Sequence, residues 1–388
     1  MQMTESIYLD NNATTPLDSA VVAAMQDCMQ HCYGNPSSKH HVGAVAKERL
    51  IAARVQVAAL LGCAPGEVAF TSGATESNHM AIMGALAIDP AKRHIVSSAV
   101  EHPSTLLLLG HLAAQDVEVT LLPVDGEGRI DLDRLASVIR ADTALVSLMW
   151  ANNETGVLFP IAEAAAIAKS NGVIFHTDAV QVVGKIPVDV EEVPVDLLSL
   201  SGHKLHAAKG VGALYIRKGL RLPPLFFGNQ ERKRRGGTEN LIGIVGLGVA
   251  AALAARAIAQ VGPGIGELRD VFERGLLERM PQTWINGASA PRVPGTSNLR
   301  FAATDAEIVL DGLDKAGVCA SSGSACTAGG TEPSHVLVAM GQTADMALAS
   351  VRFSFSRFNT VAEVERLLEL LPGIVGPRID GATQKVGG

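Results

Sequence analysis

The sequence is short of positive charge and of cysteine. Its 39 Asp and Glu outnumber its 32 Lys and Arg, and the formal net charge is −7. Nucleic-acid binding requires a basic face, so we expect no nucleic-acid partner. Only five of the 388 residues are cysteines. Their odd number and the lack of disulfide-like spacing favour a reducing compartment, and we expect the cytoplasm.

Long apolar runs are also missing. The longest apolar stretch without charge is 241–255, which is rich in Gly and Ala and shorter than the roughly 20 residues of a membrane span. We interpret it as a buried helix. Residues 1–6 lack the basic and then apolar pattern of a signal peptide. The sequence therefore predicts no association with a membrane.

Apolar residues are abundant, at 47%, and charged ones make up 18%. A chain of 388 residues exceeds one typical core, so two domains are expected. Apolar runs alternate with helical patterns, which predicts an α/β fold with a mostly parallel seven-stranded sheet covered on both faces. The last strand follows its neighbour too closely for a crossover helix, so we expect it to be antiparallel. The predicted strands are 68–71, 95–98, 117–122, 145–149, 173–176, 197–200 and 213–216.

Two helices carry clear start signals. Asp131 can cap a helix over 131–140, because its short side chain reaches the free amides of the first turn. Thr360 and Glu363 have the spacing of a capping box before a helix over 361–371. That helix ends a smaller α/β unit, which we expect over about 265–388.

A carboxylate and a lysine follow two of the predicted strands. Asp178 comes after the strand over 173–176, and Lys204 comes after the strand over 197–200. Open α/β sheets bind ligands at the carboxyl ends of their strands. An acid and an amine in one cleft suggest pyridoxal 5′-phosphate (PLP), whose aldehyde forms a Schiff base with lysine and whose pyridine nitrogen pairs with an acid. The alternative is a buried ion pair.

A phosphate site is predicted beside this pair. The segment 71–77 follows a strand, contains Gly73 and opens a helix. The amides of a helix N-terminus bind phosphate, and Ala74 and Thr75 are the candidate contacts. The alternative is a simple N-cap by Thr75. Ser201 and His203, which flank the lysine, could bind the same phosphate.

Three further residues fit contacts to the cofactor ring. His102 could stack on the ring and move protons near neutral pH, although a lone histidine is more often structural. Asn153 could donate to the phenolic oxygen of the cofactor, or it could be an ordinary turn residue. Gln181 lies three residues after Asp178 and could share that oxygen.

The segment 320–330 consists of Ala, Ser, Gly and Thr apart from Cys326. Such a run is costly to order, so we expect a mobile loop that carries a reactive thiol. The alternative is an incidental exposed thiol, and Cys319 is expected in a core. Arg352 lies in a predicted strand of alternating polar and apolar residues, where its guanidinium group could hold a substrate carboxylate through two hydrogen bonds. Arg357 is the alternative candidate for this role.

Other polar residues are expected to have no role in the chemistry. Cys28, His31 and Cys32 lie on one helical face, but three ligands are fewer than the four of a structural zinc site, so no intrinsic metal is expected. His206 and Lys209 are expected to be solvated.

Taken together, these motifs resemble the NifS/IscS-type cysteine desulfurases, which are class V members of the fold-type I PLP-dependent transferases. The resemblance covers nearly the whole chain and is closest to the NifS branch. It rests on Leu9-Asp10-Asn11-Asn12-Ala13-Thr14-Thr15-Pro16, Gly34-Asn35-Pro36-Ser37-Ser38, 71–77, Glu101-His102-Pro103, 152–156, 176–181, 201–204, Arg235-Gly236-Gly237-Thr238-Glu239-Asn240 and 321–327.

The resemblance implies a large PLP-binding domain over 15–260 and a small domain formed by 1–14 and 261–388. It implies a homodimer in which Thr238 reaches the phosphate of the partner subunit's cofactor. Asn11 and Arg352, with Asn153, would bind the carboxylate of L-cysteine.

The same resemblance implies catalysis by Lys204, His102 and Cys326. Cys326 would take the substrate sulfur as a persulfide, with L-alanine as the other product. It would then pass this sulfur to an iron–sulfur scaffold protein, and Cys326 could be a transient ligand of the cluster. A nitrogenase-related role is expected. The alternatives are a selenocysteine lyase, another class V PLP enzyme, or a carrier that passes persulfide without making it.

Overall fold

The computed structural model describes residues 6–261, 264–302, 304–322 and 332–383. Cys326 lies outside them. The strands of the described chain are β1 (Ile7–Tyr8), β2 (Val68–Thr71), β3 (His94–Ser98), β4 (Glu118–Leu122), β5 (Thr143–Met149), β6 (Ile174–Asp178), β7 (Leu197–Ser201), β8 (Gly212–Ile216), β9 (Thr283–Ile285), β10 (Thr296–Phe301), β11 (Val318–Cys319) and β12 (Ser350–Ser354). The helices are α1 (Ser19–His31), α2 (His41–Leu61), α3 (Ala74–Ile88), α4 (Pro103–Ala113), α5 (Leu132–Val138), α6 (Ile161–Ser170), α7 (Leu241–Val261), α8 (Gly264–Arg279), α9 (Ala306–Lys315), α10 (His335–Ala339), α11 (Ala344–Leu348) and α12 (Val361–Thr383).

The main sheet has seven strands in the order β2-β8-β7-β6-β5-β3-β4. Strand β8 is antiparallel to both of its neighbours, and the remaining pairs are parallel. The predicted α/β fold, its mostly parallel sheet and its antiparallel last strand are confirmed. Strand β5 is buried along its whole length, as expected for a strand covered by helices on both faces.

Helix α7 contributes to the main core. Over Leu241–Ile258 it is long and apolar enough to cross a membrane by length and composition alone, and it is the one such helix in the described part of the chain. However, 56% of that window is buried, and Leu247 and Ala250 belong to the same apolar cluster as Val57 of α2. We therefore interpret α7 as the buried helix that the sequence predicts.

A second apolar cluster lies apart from the main one. It joins Leu9 to Phe272 of α8, Phe353 of β12 and Leu367 of α12. Beside it, β12, β10 and β9 form an antiparallel sheet, and β1 pairs in parallel with β11. Some residues after 261 pack into the main cluster instead: Val293, Val336, Leu337, Met340 and Ala347. The division into domains stays a prediction.

The helix ends follow the predicted signals in part. The side chain of Asp131 accepts hydrogen bonds from the first-turn amides of α5, as predicted. The Thr360 amide donates to Glu363 (2.7 Å), and the Glu363 amide donates to Thr360 Oγ1 (3.3 Å), which completes the capping box. Helix α12 does not end at residue 371 but continues through Pro372. Burial of Val375 in the second cluster stabilises this extension.

Candidate active site

A cavity of about 640 Å³ lies at the carboxyl ends of the central strands of the main sheet. Most of the predicted site residues line it: Ala74, Thr75, His102, Asn153, Asp178, Gln181, Ser201, His203, Lys204 and Arg352. They come from segments more than 250 residues apart in the sequence, and the parallel strands bring them to one edge.

Two predicted residues lie beside this cavity rather than in its lining. Asn11 lines a smaller adjacent pocket that also contacts Lys204, and its Nδ2 donates to the Ser354 carbonyl at 2.8 Å. Thr238 is exposed in a groove that shares Ser72 with the main cavity. The roles predicted for Asn11 and Thr238 therefore stay predictions.

Asp178 ends β6 with its carboxylate held in one orientation. Its Oδ2 accepts from Asn78 Nδ2 at 2.7 Å, and its Oδ1 accepts from the Val180 amide at 3.0 Å. The residue is buried. Asn78 is missed by sequence reasoning. Its position inside α3, where a polar residue in an apolar helix requires a partner, is the signal that could have found it.

Lys204 closes a single 3-10 turn that follows β7 directly. Its Nζ donates to the carbonyl of Ala13 at 2.7 Å and also to the carbonyl of Asn12. The amine is thus held against the N-terminal segment while it lines the same cavity as Asp178.

Helix α3 begins at the cavity without a side-chain cap. Gly73 is its N-cap residue, and within the part of the chain that the structure describes no side chain accepts from the first-turn amides. Thr75 lies inside the first turn, so the alternative of an N-cap by Thr75 is wrong. The uncapped amides and the Ser201 and His203 side chains around them are the donor set that a phosphate requires.

Two histidines of the cavity are held as neutral imidazoles. His102 caps α4, and its Nδ1 accepts from the Ser104 amide at 3.1 Å, so the neutral ring carries its hydrogen on Nε2. Burial lowers the pKa of His102. Burial, reinforced by the charge of Lys204, lowers the pKa of His203 to about 4. Neither ring adds positive charge beside Lys204 at neutral pH.

The turn after β5 separates the roles of two adjacent asparagines. Asn152 is the turn residue, because its Oδ1 accepts from the amides of Glu154 and Thr155 at 2.9 and 3.0 Å. Asn153 lines the cavity. This arrangement favours a contact role for Asn153 over the alternative of an ordinary turn residue.

Asn12 and Lys185 are the main site residues that sequence reasoning misses. Asn12 lines the cavity, and its carbonyl accepts from Gln181 Nε2 at 3.0 Å. Lys185 Nζ donates to Gln181 Oε1 at 2.6 Å and to Asn12 Oδ1 at 2.7 Å. Neither residue stands out in the sequence, because the contacts of Asn12 lie 141 or more positions away.

The two candidate arginines are distinguished by their positions. Arg352 is buried and lines the cavity, where it donates to Asp10 Oδ1 at 2.7 Å and to the Asn153 carbonyl at 3.0 Å. Arg357 pairs with Asp18 at 2.7 Å and does not line the cavity. The geometry therefore favours Arg352 as the carboxylate-binding arginine.

Some peripheral residues differ from expectation. His206 is buried rather than solvated, with its Nδ1 at 2.9 Å from the Pro16 carbonyl and its ring edge-on to Phe358. Lys209, by contrast, is exposed as expected, and it also lines the cavity. Cys319 is half-buried in β11 rather than in a core. Cys28 and Cys32 pack in the main cluster.

Comparison with known proteins identifies the family. The model of the family described as "Aminotransferase class-V" matches residues 7–367. A cysteine desulfurase of Gluconacetobacter diazotrophicus is 49% identical and covers 95% of this chain and 93% of its own. The cysteine desulfurase NifS of Azotobacter vinelandii is 47% identical and covers 95% and 92%. A solved structure of a NifS-like protein has a TM-score of 0.89 at 34% identity, over 96% of this chain and 99% of that one. The chain therefore belongs to the class V aminotransferase family, among its cysteine desulfurases.

Proposed function

We propose that the protein is a PLP-dependent cysteine desulfurase that converts L-cysteine to L-alanine and an enzyme-bound persulfide. One observation carries this proposal. The carboxylate of Asp178, the amine of Lys204 and the uncapped N-terminus of α3 line one cavity. These are the three groups that a pyridinium nitrogen, an aldehyde and a phosphate require.

Each part of the cofactor has a partner in this cavity. Asp178 would pair with the pyridine nitrogen, and Lys204 would hold the aldehyde. The phosphate would take the amides of Ala74 and Thr75 with the Ser201 and His203 side chains. The ring would lie against His102, and its phenolic oxygen would accept from Asn153 and Gln181. When bound, PLP supplies an electron sink for bonds broken at the substrate Cα.

The chain's own residues then act on L-cysteine. Arg352 binds the substrate carboxylate in a fork of two hydrogen bonds, with Asn11 and Asn153 nearby. Lys204 moves the Cα proton, and His102 assists that transfer. The Cys326 thiolate attacks the substrate sulfur, so an S–S bond forms on Cys326 as the substrate C–S bond breaks. Protonation of the remaining fragment completes L-alanine.

The protein would work as a homodimer in the cytoplasm. The exposed position of Thr238, in a groove that shares Ser72 and Gly210 with the cavity, supports a contact to the partner subunit's phosphate. The persulfide would pass to an iron–sulfur scaffold protein, with Cys326 as a transient cluster ligand. Similarity to the NifS of a relative supports a role in nitrogen fixation.

The test compares two cysteine variants of the PLP-loaded protein. Cys326→Ala is expected to retain the visible absorbance of bound PLP but to lose sulfide release from L-cysteine. Cys319→Ala is the matched control. Burial raises the pKa of the Cys319 thiol, so this residue makes a poor nucleophile and its loss is expected to leave turnover unchanged.

The outcome also separates the alternatives. Alanine formed without an added keto acid supports desulfuration, whereas a keto-acid requirement would indicate an aminotransferase. Activity restricted to selenocysteine would indicate a selenocysteine lyase. A protein that binds no PLP would indicate a persulfide carrier and contradict the proposal. Full activity of Cys326→Ala would overturn the assignment of the nucleophile.

A further inference from the structure

Lys185 is a partly buried lysine, and among the described residues its amine donates hydrogen bonds only to amide oxygens. Within the described residues, no carboxylate lies within ion-pair distance of its Nζ. It donates instead to Gln181 Oε1 (2.6 Å) and to Asn12 Oδ1 (2.7 Å). The mechanism above does not use this residue. Its placement next to two cavity-lining amides therefore requires an explanation.

Lys185 determines the orientation of the side-chain amides of Gln181 and Asn12. A side-chain amide has an acceptor oxygen at one end and a donor nitrogen at the other. With Gln181 Oε1 bound to Lys185, Nε2 donates to the Asn12 carbonyl at 3.0 Å. The flipped amide would place Oε1 against that carbonyl, so two acceptors would face each other. Lys185 therefore stabilises one of the two orientations of Gln181.

The same argument applies to Asn12. Its Oδ1 accepts from Lys185, which directs Nδ2 to the Asn153 carbonyl at 3.1 Å and to Thr296 Oγ1 at 2.8 Å. The Asn12 carbonyl also accepts from Lys204 Nζ. One amine thus orders a network that includes Gln181, Asn153 and Lys204, all of which line the cavity.

Lys185 lies near two other cationic side chains. Burial, together with the charges of Lys204 and Arg352, lowers the pKa of Lys185 well below its usual value. Both hydrogen bonds of its amine, to Gln181 and to Asn12, go to acceptor oxygens.

We propose that Lys185 is a positioning residue that orients the Gln181 amide so that its donor end serves the phenolic oxygen of PLP. One Nε2 hydrogen goes to the Asn12 carbonyl, and the second is the donor available to the cofactor. The inference rests on the proposed function, because it requires PLP in this cavity.

The test measures the affinity of the apoprotein for two ligands. These are PLP and the analogue of PLP that lacks the phenolic oxygen, both titrated by absorbance. Lys185→Met is expected to weaken PLP binding by about tenfold, the size of effect expected when a buried hydrogen-bonding group loses its partner. Affinity for the analogue is expected to stay at the wild-type value. Lys169→Met, an exposed lysine of α6, is the matched control and is expected to change neither.

A double-mutant cycle tests the route through Gln181. In the Gln181→Leu background, Lys185→Met is expected to cause little further loss of PLP affinity, because the residue through which it acts is absent. Unchanged PLP affinity in Lys185→Met, an equal loss for both ligands, or the same tenfold loss in both backgrounds would overturn the inference. If Lys185→Met does not fold, Lys185→Leu, which also lacks a side-chain N–H donor, is measured against the same criteria.

This experiment also separates the inference from the function on which it rests. Wild-type apoprotein that takes up no PLP would contradict the proposed function itself. Wild-type protein that binds PLP and desulfurates cysteine, with a Lys185→Met variant that binds PLP equally well, would contradict the role of Lys185 alone.

Discussion

At the scale of single residues, burial controls the charge of the site. Glu101 is fully buried beside the cavity, and its Oε1 accepts from Ser98 Oγ at 2.7 Å and from the Met149 amide at 2.9 Å. Burial raises the pKa of Glu101 to about 8, and the charge of Asp178 acts in the same direction. Near neutral pH, Glu101 is therefore mostly protonated and adds little negative charge near Asp178.

The raised pKa predicts a pH-dependent effect of Glu101→Gln on stability. Between about pH 4.5 and pH 8 the folded state keeps a proton that the unfolded state has lost, so wild-type stability falls as pH rises through this window. Gln carries no titrating proton, so the stability of Glu101→Gln does not fall in this way. As pH rises, the free energy of unfolding of the variant should therefore increase relative to that of wild type by up to about 1.4 kcal/mol per pH unit. Urea unfolding of the apoproteins from pH 5 to pH 8 measures this difference.

The control is Glu163→Gln, at an exposed position on α6. Its difference from wild type is expected to be small across the same pH range. If the stability difference between Glu101→Gln and wild type is as independent of pH as that of the control, the account of a buried, protonated Glu101 is contradicted.

At the scale of elements, the phosphate site depends on how β8 and the start of α3 meet. Gly212 of β8 has no side chain, and a Cβ there would lie 2.7 Å from Gly73 Cα and 2.7 Å from the Leu200 carbonyl oxygen. Gly73 itself has φ of 153°, a conformation that other residues rarely adopt. The close approach of two backbones thus sets the position of the first turn of α3.

Gly212→Ala is expected to displace that turn, because β8 is held by β2 and β7 on both sides and is the less movable partner. Affinity for PLP should fall by about tenfold, or about 1.4 kcal/mol. Affinity for pyridoxal, which lacks the phosphate, should fall less. Equilibrium titration of the apoprotein with both ligands measures the two effects.

Gly110→Ala in α4 is the matched glycine control. No heavy atom of the described residues outside its own helix lies within 4 Å of the added Cβ, so this variant should bind both ligands normally and gain about 0.5–1 kcal/mol of stability. An equal loss of PLP and pyridoxal affinity in Gly212→Ala would argue against a phosphate at the start of α3.

The elements themselves were predictable because their signals are local. Each predicted strand of the main sheet matches an observed one to within two residues at either end, since apolar runs and turn residues mark its limits. The end of α12 was missed because Pro372 usually ends a helix, whereas here tertiary burial of Val375 extends it. Distant packing of this kind leaves no local pattern in the sequence.

The same distinction applies to the site. Asp178 and Lys204 were predictable because each follows a strand directly. Asn12, Asn78 and Lys185 were not, because an amide or amine is identified only by its partners, which here come from other segments of the chain. The sequence places residues at strand ends, whereas the hydrogen-bond network between them requires the folded geometry.

At the scale of the whole molecule, the N-terminal segment connects the two apolar clusters. Leu9 is buried in the second cluster, and three residues later the Asn12 side chain bonds to Asn153 and Lys185 on the main-sheet side and to Thr296 of β10. The cavity lies between these contacts, so its integrity depends on both clusters staying together.

The two tryptophans of the chain allow this coupling to be measured. Trp150 belongs to the main cluster, and Trp284 lies in β9 beside the second. Trp284→Phe therefore leaves Trp150 as the fluorescence reporter for the main cluster. Trp150→Phe leaves Trp284 as the reporter for the second cluster. In these backgrounds we expect the two reporters to give the same urea midpoint, because the Asn12 contacts join the two clusters.

Asn12→Ala should separate the two midpoints. It removes three side-chain hydrogen bonds that join the two clusters. Because their buried partners stay unpaired, the free energy of unfolding should fall by about 2 kcal/mol or more. The second cluster is the smaller one, so the Trp284 signal should shift to lower urea than the Trp150 signal. Asn171→Ala, an exposed amide after α6, should leave both signals in place. Equal shifts of both reporters in Asn12→Ala would mean that Asn12 stabilises the molecule as a single unit rather than joining two.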